Sequence, residues 1–430
     1  MPDTLDDWLI HLDALHPRGI AGIELGLQRV AEVSRALGQQ RNVNIPLITV
    51  GGTNGKGSTC AMLERILGCA GYRVGLYTSP HLLAYNERVR LAGQAVDSAA
   101  LCRSFARIET ARAATALTYF EFGTLAAWEC FVDAAVDVMI LEVGLGGRLD
   151  AVNVYASDCA IVTGVDIDHT DYLGSTREAI GYEKAGIFRS GRAAICADPD
   201  PPQSLIEHAQ GIGADLRLIG RDFGYQRQDG KWQFWWRGKH KISRRGGLAP
   251  PALRGANQLQ NASAALAALE ALQETLPVAM PAISRGLSEV ELPGRFQAIP
   301  GRPLVILDVA HNPQAARVLA ENLASQLEGS VDHCQTWAVF GMLRDKDVTE
   351  VVRALADCVT HWLPCSLSGS RGSTAGELAQ SLAGEGIVAR MQFVSPLDAY
   401  RFAQENAGDD DRILVFGSFQ TVADILRILT

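Results

Sequence analysis

The stretch "IPLITVGGTNGKGSTCAMLERILGCA", residues 45–70, decides the fold class, because it joins a strand, a glycine loop and a helix. The apolar run 45–50 predicts a buried strand, and Gly71 predicts the end of the helix. The helical spacing is carried by Met62, Leu63, Ile66, Leu67 and Ala70. A loop of this kind aims backbone N–H groups and the positive end of a helix dipole at one point. The stretch therefore predicts an anion site.

The glycine loop departs from the common phosphate-binding pattern. Gly57 follows Gly55 and Lys56, where Ser or Thr would place a hydroxyl on magnesium, and Val50 occupies the position of the first glycine. Lys56 still offers a positive charge to terminal phosphates. The residues alone leave open a simpler interpretation, which is a tight glycine turn with a surface lysine.

Outward from this loop, short apolar runs alternate with helix-period segments, as is typical of an α/β fold with a parallel sheet. Further strands are predicted in "YRVGLYTS" (72–79), "VDVMILEVGLGG" (136–147) and "CAIVTGVDIDH" (159–169). The last two run into clusters of Asp, Glu, His, Gly or Arg. Ligands of open α/β sheets bind at such carboxyl ends.

A second domain is predicted from residue 299, because prolines and glycines punctuate "ELPGRFQAIPGRP" near residue 298. Residues 1–298 then form the first domain and 299–430 a smaller Rossmann-like α/β domain. The second domain lacks the G-x-G-x-x-G fingerprint of dinucleotide binding, so its fold alone predicts no dehydrogenase.

The segment 224–245, "GYQRQDGKWQFWWRGKHKISRR", mixes basic and aromatic residues. Such a mixture can form a stacking platform for single-stranded nucleic acid. Asp229 and Gly230, however, lie between two strand-like runs and favour a β-hairpin whose basic residues protect exposed strand edges.

Length and composition limit the classes of protein to which the chain can belong. The 430 residues exceed the size of one hydrophobic core, and 47% hydrophobic residues indicate a well-packed globular protein. A formal charge of −9 disfavours general nucleic-acid binding. The nine cysteines fit neither a metal knuckle nor a secreted disulfide scaffold. No leader or membrane-spanning run is seen, so we expect a cytoplasmic protein with reduced thiols.

Nine ordered motifs resemble the folylpolyglutamate synthase family, which includes bacterial forms that are also dihydrofolate synthases. They are "GTNGKGS" (52–58), "YTSPHL" (77–82), "YFEFGT" (119–124), "LEVGLGGRLDAVN" (141–153), "DHTDYLG" (168–174), "EKAGIFR" (183–189), "LPGRFQ" (292–297), "DVAHNP" (308–313) and "GSF" (417–419). The resemblance covers nearly the whole chain. It implies a first domain of the Mur-ligase central type, which is a P-loop parallel-sheet ATPase domain.

The resemblance also implies an activity. Such a ligase adds L-glutamate to dihydropteroate, giving dihydrofolate, and to the γ-carboxylate of reduced folates, in both cases through an acyl phosphate made with ATP and magnesium. The partners are then small molecules, with no nucleic acid and no membrane, and we expect a monomer. The alternatives are folate extension alone, a Mur-type ligase acting on another carboxylate, and a nucleotide-binding regulator without chemistry.

The resemblance implies that Ser79 supplies the hydroxyl missing after Lys56, and that Glu142 and His169 complete the protein ligands of magnesium. Taken singly, these residues have simpler interpretations: a turn before Pro80, an ion pair of Glu142 with Arg148, and a core histidine. Catalytic roles are implied for Lys56, His169 and Lys184.

The resemblance also implies a nucleotide site, which we expect between the domains. The residues assigned to it are Thr53, Asn54, Gly55, Lys56, Gly57, Ser58, Asn261, Arg295, Asp308 and His311. Without the resemblance, Asn261 would be a helix cap, Arg295 a linker ion pair, and Asp308 and His311 a strand-end turn.

Lys184 would ordinarily be a surface lysine paired with Glu183. The resemblance implies instead a lysine carbamylated by carbon dioxide, which helps to hold a second magnesium. This modification needs a neutral amine and hence local burial.

The pterin is expected near three segments, and the residues implied are Glu24, Leu25, Gly26, Leu27, Thr118, Tyr119, Phe120, Glu121, Leu149, Asp150 and Ala151. Tyr119 and Phe120 offer flat apolar faces, and Asp150 offers a hydrogen-bond acceptor. Ordinary core packing is the alternative for these three residues.

Overall fold

The computed structural model describes residues 2–15, 23–39, 45–238, 242–327 and 334–429. The chain divides into two compact units. The first contains Met1–Ala252 and Leu259–Val290, and the second contains Leu253–Gln258 and Glu291–Thr430. Residue 298, where we placed the domain boundary, lies inside the strand Gln297–Ile299.

The first unit is built on an eight-stranded sheet of order β4-β3-β2-β5-β1-β6-β7-β8. Its strands are β1 (Leu47–Gly51), β2 (Val74–Tyr77), β3 (Val89–Leu91), β4 (Gln94–Ala95), β5 (Val138–Glu142), β6 (Cys159–Val162), β7 (Ala193–Cys196) and β8 (Asp215–Leu218). All neighbours pair in parallel except at β3 and β4, which are antiparallel. The α/β class with a parallel sheet is confirmed.

The register of this sheet places several loops at one edge. Val50 lies opposite Glu142, and Gly51 lies opposite Val162. The central strand β1 is buried along its whole length, as expected for a strand covered on both faces. The loops after β1, β5 and β6 therefore leave the sheet side by side.

Ten helices of the described residues belong to the first unit. They are α1 (Leu5–Leu15), α2 (Gln28–Ala36), α3 (Lys56–Cys69), α4 (Ser98–Arg112), α5 (Tyr119–Asp133), α6 (Thr170–Leu173), α7 (Arg177–Ala185), α8 (Gln203–Gly211), α9 (Gln258–Ala271) and α10 (Met280–Glu289). Helix α10 packs tightly on α3, since a Cβ at Gly286 would lie 2.5 Å from Ile66 Cα. Gly71 follows α3 with φ 94°, so the predicted helix end is confirmed.

The segment after β8 forms a three-stranded antiparallel sheet, β9 (Phe223–Gln228), β10 (Lys231–Arg237) and β11 (Ile242–Leu248). Asp229 and Gly230 both have positive φ, which confirms the predicted hairpin turn. Trp232, Phe234 and Trp236 are buried. These three rings are core residues, which argues against a stacking platform.

The second unit is a five-stranded sheet of order β12-β13-β16-β14-β15. Its strands are β12 (Gln297–Ile299), β13 (Leu304–Asp308), β14 (Thr336–Phe340), β15 (His361–Pro364) and β16 (Arg412–Phe416), and its helices are α11 (Pro313–Leu327), α12 (Val348–Leu355), α13 (Ala375–Gly384), α14 (Pro396–Asn406) and α15 (Phe419–Leu429). Only β12 is antiparallel. The core includes Phe340 stacked on Phe416 at 5.0 Å between ring centroids. This second α/β unit agrees with the predicted class.

All nine cysteines are free thiols, and five of them are buried. Among the helices of the described ranges, none has the length and apolar character needed to cross a membrane.

Candidate active site

The phosphate loop, residues 51–58, leads directly into α3. Gly55 precedes the helix in the left-handed region with φ 86°, and no side chain caps the first turn. Lys56 lies in that turn, and its Nζ donates to the carbonyl oxygens of Gly52 at 3.0 Å and Thr53 at 3.1 Å. Four N–H groups at a helix start have no partner within the helix. The loop therefore offers both N–H donors and a cation at one point.

Asn261 meets the phosphate loop from α9. A Cβ at Gly55 would lie 2.5 Å from Asn261 Oδ1, and Asn261 is buried. Because α9 begins at Gln258, Asn261 is inside its first turn and the helix-cap interpretation is wrong. The structure thus brings this predicted nucleotide residue to the loop.

Two of the predicted magnesium ligands are neighbours. The Ser79 N–H donates to Glu142 Oε2 at 3.2 Å. Glu142 is buried at the carboxyl end of β5. Arg148, the alternative partner of Glu142, instead donates to Glu183 at 2.8 Å. Glu142 is therefore placed beside Ser79 with Arg148 engaged elsewhere.

His169 occupies a strained position at the start of α6. Its φ of 52° lies in the left-handed region, and its N–H donates to Asp168 Oδ1 at 2.8 Å. The His169 side chain is 32% exposed, so the interpretation as a core histidine is wrong. Non-glycine residues with positive φ are uncommon and concentrate at functional sites.

Lys184 is buried near the end of α7, with 3% of its surface exposed. Burial and the charge of Lys56 lower the pKa of Lys184 to about 7, against opposing effects of Asp168 and Asp150. Glu183 pairs with Arg148. The interpretation as a surface lysine is therefore wrong, and a large fraction of the amine is neutral at neutral pH.

The residues at this edge fit a hard divalent cation. Ser79 and Glu142 offer oxygen donors, which such cations prefer, and His169 adds an imidazole. In the described part of the chain, no group of three or more His, Cys, Asp or Glu side chains is arranged to hold a metal ion. The structure thus brings Ser79 and Glu142 together, and the part of His169 in a metal site stays a prediction.

The segments predicted for the pterin converge in the first unit. The Gly26 N–H donates to the Leu149 carbonyl oxygen at 3.1 Å, which joins the segment 23–27 to the segment 149–151. Asp150 accepts from the N–H groups of Leu145 at 2.8 Å and Val152 at 3.0 Å. Burial raises the pKa of Asp150 to about 7, against those hydrogen bonds. This carboxyl group therefore changes charge near neutral pH.

Thr118 and Glu121 serve the helix start of α5. They form a capping box in which each side chain accepts from the other residue's backbone N–H, at 3.2 Å and 2.7 Å. Both are buried. These contacts give Thr118 and Glu121 a structural role, whereas the Phe120 ring is partly exposed and packs beside Tyr77 at 5.7 Å between centroids.

Three site-supporting residues were missed in the sequence. Arg29 contacts both Glu24 and Glu121, at 3.0 Å for Glu121, and so ties the segment 23–27 to α5. Arg189 donates to Asn153 Oδ1 at 2.7 Å, which clamps the end of α7 to the loop that carries Asp150. Asn153 and Arg189 stand in two of the quoted motifs, which was the available signal.

The second unit holds its own group of predicted nucleotide residues. Asp308, at the end of β13, accepts from the N–H groups of Phe296 at 2.8 Å and Ala310 at 2.7 Å. Burial raises the pKa of Asp308, and the charge of Arg295 opposes this. Arg295 lies 5.1 Å over the Phe419 ring, and His311 lies 6.1 Å from it. The Phe419 ring therefore lies beside both Arg295 and His311.

Comparison with known proteins identifies the family of this chain. Residues 50–269 match the Mur ligase middle domain, and residues 294–419 match the glutamate ligase domain of Mur ligases. The dihydrofolate synthase/folylpolyglutamate synthase of Escherichia coli is 44% identical over 425 residues, which is 99% of this chain and 95% of the relative. This chain belongs to the dihydrofolate synthase/folylpolyglutamate synthase family. It is an enzyme of the Mur-ligase type.

Solved structures of the family match the whole chain. Escherichia coli FolC in complex with DHPP and ADP is 43% identical with a TM-score of 0.91, covering 100% of this chain and 99% of that one. A bifunctional folylpolyglutamate synthase/dihydrofolate synthase with Mn, AMPPNP and L-glutamate bound is 44% identical, with a TM-score of 0.89 and coverages of 99% and 98%. The predicted fold type and family are thereby confirmed.

Proposed function

We propose that this chain uses ATP to join L-glutamate to dihydropteroate and to the γ-carboxylate of reduced folates. The observation that carries this function is the arrangement at one edge of the first sheet. There the uncapped start of α3 with Lys56 accompanies the Ser79 and Glu142 oxygens and the buried Lys184. Family membership supplies the substrate class.

The chemistry explains this set of residues. A carboxylate oxygen of the pterin substrate attacks the γ-phosphorus of ATP, ADP leaves, and an acyl phosphate forms. The amine of glutamate then attacks the acyl carbon, phosphate leaves, and the nitrogen loses its proton. The first step gathers negative charge at the transferring phosphoryl group, so it needs fixed N–H donors and cations.

Lys56 and the α3 start bind and orient the phosphates in this proposal, together with Thr53, Asn54, Gly57, Ser58 and Asn261. Ser79, Glu142 and His169 would hold magnesium, which neutralises phosphate charge when bound. In the second unit, Arg295, Asp308 and His311 are proposed to contact the nucleotide. Tyr119, Phe120 and Asp150 are proposed to receive the pterin.

Lys184 is proposed to carry a carbamate. Its burial and its pKa of about 7 supply the neutral amine that carbon dioxide requires. In carbon-13 bicarbonate NMR, we expect a carbamate signal that grows as the pH rises through about 7 and disappears in Lys184→Ala. Short carboxylic acids should partly restore activity to that variant. A signal-free spectrum of active protein would contradict the carbamate alone.

Phosphate release tests the function as a whole. Purified protein with ATP, magnesium and L-glutamate should release phosphate with dihydropteroate and with reduced folates, but not with peptidoglycan precursors. Release with reduced folates only would leave a folate-extending enzyme. Release with a peptidoglycan precursor only would make the chain a ligase for another carboxylate.

Three further predictions accompany this function. We propose a monomer that has no nucleic-acid partner and works in the cytoplasm. Size-exclusion chromatography with light scattering checks the first of these directly.

A further inference from the structure

We propose that Thr163 is a positioning residue that fixes the direction of the N–H groups in the phosphate loop. Thr163 directly follows β6 and is 2% exposed. None of the roles proposed above uses it. The inference rests on the proposed binding of nucleotide phosphates by residues 51–58.

The Thr163 side chain is bonded to the backbone of the loop. Its Oγ1 donates to the Asn54 carbonyl oxygen at 2.6 Å, and the Gly51 carbonyl oxygen lies 3.2 Å away. The Thr163 N–H also donates to the Gly51 oxygen at 3.0 Å. One residue therefore holds two carbonyl groups of the loop.

Holding a carbonyl group sets the direction of the next N–H group. The peptide unit is planar and trans, so its C=O and N–H bonds point in opposite directions. With the Asn54 oxygen drawn toward Thr163, the Gly55 N–H points away from Thr163. In the same way, the bonds from Thr163 to the Gly51 carbonyl oxygen fix the direction of the Gly52 N–H. The hydroxyl of Thr163 thus aims N–H donors that a phosphate would need.

The Thr163 hydroxyl lies so close to Gly52 that position 52 has no room for a side chain. A Cβ at Gly52 would lie 1.9 Å from Thr163 Oγ1, which no side chain tolerates. The φ of Gly52 is 143°. Glycine is therefore required at position 52 by the Thr163 hydroxyl as well as by the backbone.

A second set of bonds makes the support rigid. Thr53 Oγ1 donates to the backbone carbonyl oxygen of Asp166 and accepts from the Asp166 N–H, both at 3.0 Å. Gln260 Nε2 donates to the backbone carbonyl oxygen of Thr163 at 3.3 Å. The loop is thus fastened to the segment that leads to His169, and Thr163 is held from α9.

Thr163→Val tests the proposal, because it removes the hydroxyl and keeps the shape. We expect calorimetry with ADP and magnesium to show a Kd raised by about tenfold, the effect of one lost hydrogen bond. Thr163→Ser should bind ADP like the unmodified protein. In phosphate-release assays, KM for ATP should rise while KM for the pterin substrate stays unchanged.

Thr124→Val is the matched control. It removes a buried hydroxyl that donates to the Phe120 carbonyl oxygen at 2.9 Å in α5. Its Tm should fall as in Thr163→Val, but its ADP affinity should not change. If Thr163→Val does not fold, Thr163→Cys replaces it, since a thiol is a weak donor.

Equal ADP affinity of unmodified protein and Thr163→Val, or of Thr163→Ser and Thr163→Cys, overturns the positioning role. Unmodified protein that fails to bind ADP overturns the proposed nucleotide site and this inference together. Binding by unmodified protein with an unchanged variant overturns the inference alone.

Discussion

Helices α3 and α5 begin in opposite ways within the same unit. Helix α5 starts at Tyr119 after Thr118, whose side chain forms a capping box with Glu121. Helix α3 starts at Lys56 after the left-handed Gly55, and no side chain caps it. The first arrangement satisfies N–H groups within the protein, and the second leaves them for a ligand.

This difference separates residues that build the fold from residues that meet a substrate. A helix whose N-cap is glycine, such as Gly55 at α3, loses roughly a few tenths of a kcal/mol of stability relative to one with a capping side chain. Helix α3 lacks a side-chain cap at the place where Lys56 and Asn261 also lie. At α5 the Thr118 and Glu121 side chains accept from the N–H groups of the helix start, while the Phe120 ring is partly exposed.

The largest expected effect is on Lys56. Lys56→Ala should lower kcat for glutamate-dependent phosphate release by about 100-fold or more, because it removes a charge at the transferring phosphoryl group. Circular dichroism should show an intact fold. If the variant kept most of its turnover, the start of α3 would not be the site that binds the transferring phosphoryl group.

A smaller effect is expected from Gly55→Ala. The new Cβ would lie 2.5 Å from Asn261 Oδ1, and φ is 86°. We expect ADP affinity to fall by about tenfold, since the loop must shift to relieve a strain of roughly 1–2 kcal/mol. Calorimetric titration measures this change.

Gly71→Ala is the control at the other end of α3. Its φ is 94°, but nothing lies within 4 Å of the new Cβ. This variant should lose stability and keep its ADP affinity. Equal losses of affinity in both variants would show that backbone strain alone, and no special property of the helix start, weakens binding.

The smallest effect is expected from Thr118→Ala. Removing this cap should lower the free energy of unfolding by about 1 kcal/mol, as measured by urea denaturation. ADP affinity should not change. Thr374→Ala, which breaks the capping box of α13 in the second unit, is the matched control. A rise in KM for dihydropteroate in Thr118→Ala beyond that of the control would show that Thr118 contacts the substrate in addition to capping α5.

Much of the fold followed from the sequence, because long apolar runs and helical spacing are strong signals. The strands around the glycine loop and the hairpin at Asp229 and Gly230 were predicted. Strands β4 and β12 were not, since runs of two or three residues carry no period. Strand β12 forms inside the segment that we interpreted as a linker.

The candidate site was predictable where it depends on strand order. Ser79 follows β2 and Glu142 ends the neighbouring strand β5, so their contact is a consequence of the sheet. The burial of Lys184 could not be predicted from the sequence, because a lysine beside Glu183 is typical of an exposed helix face. The signal for Thr118 was present, since T-x-x-E is a capping-box pattern. The resemblance assigns Thr118 to the substrate as well, and that assignment stays a prediction beside the capping role.

The first sheet ends on both sides in short strands. Strand β4 has two residues and β8 has four, and Asp215 and Arg217 on β8 form an ion pair with each other. An edge that is short or charged is a poor template for pairing with another chain. Two copies of the chain are therefore not expected to join into one continuous sheet through the edges of this unit.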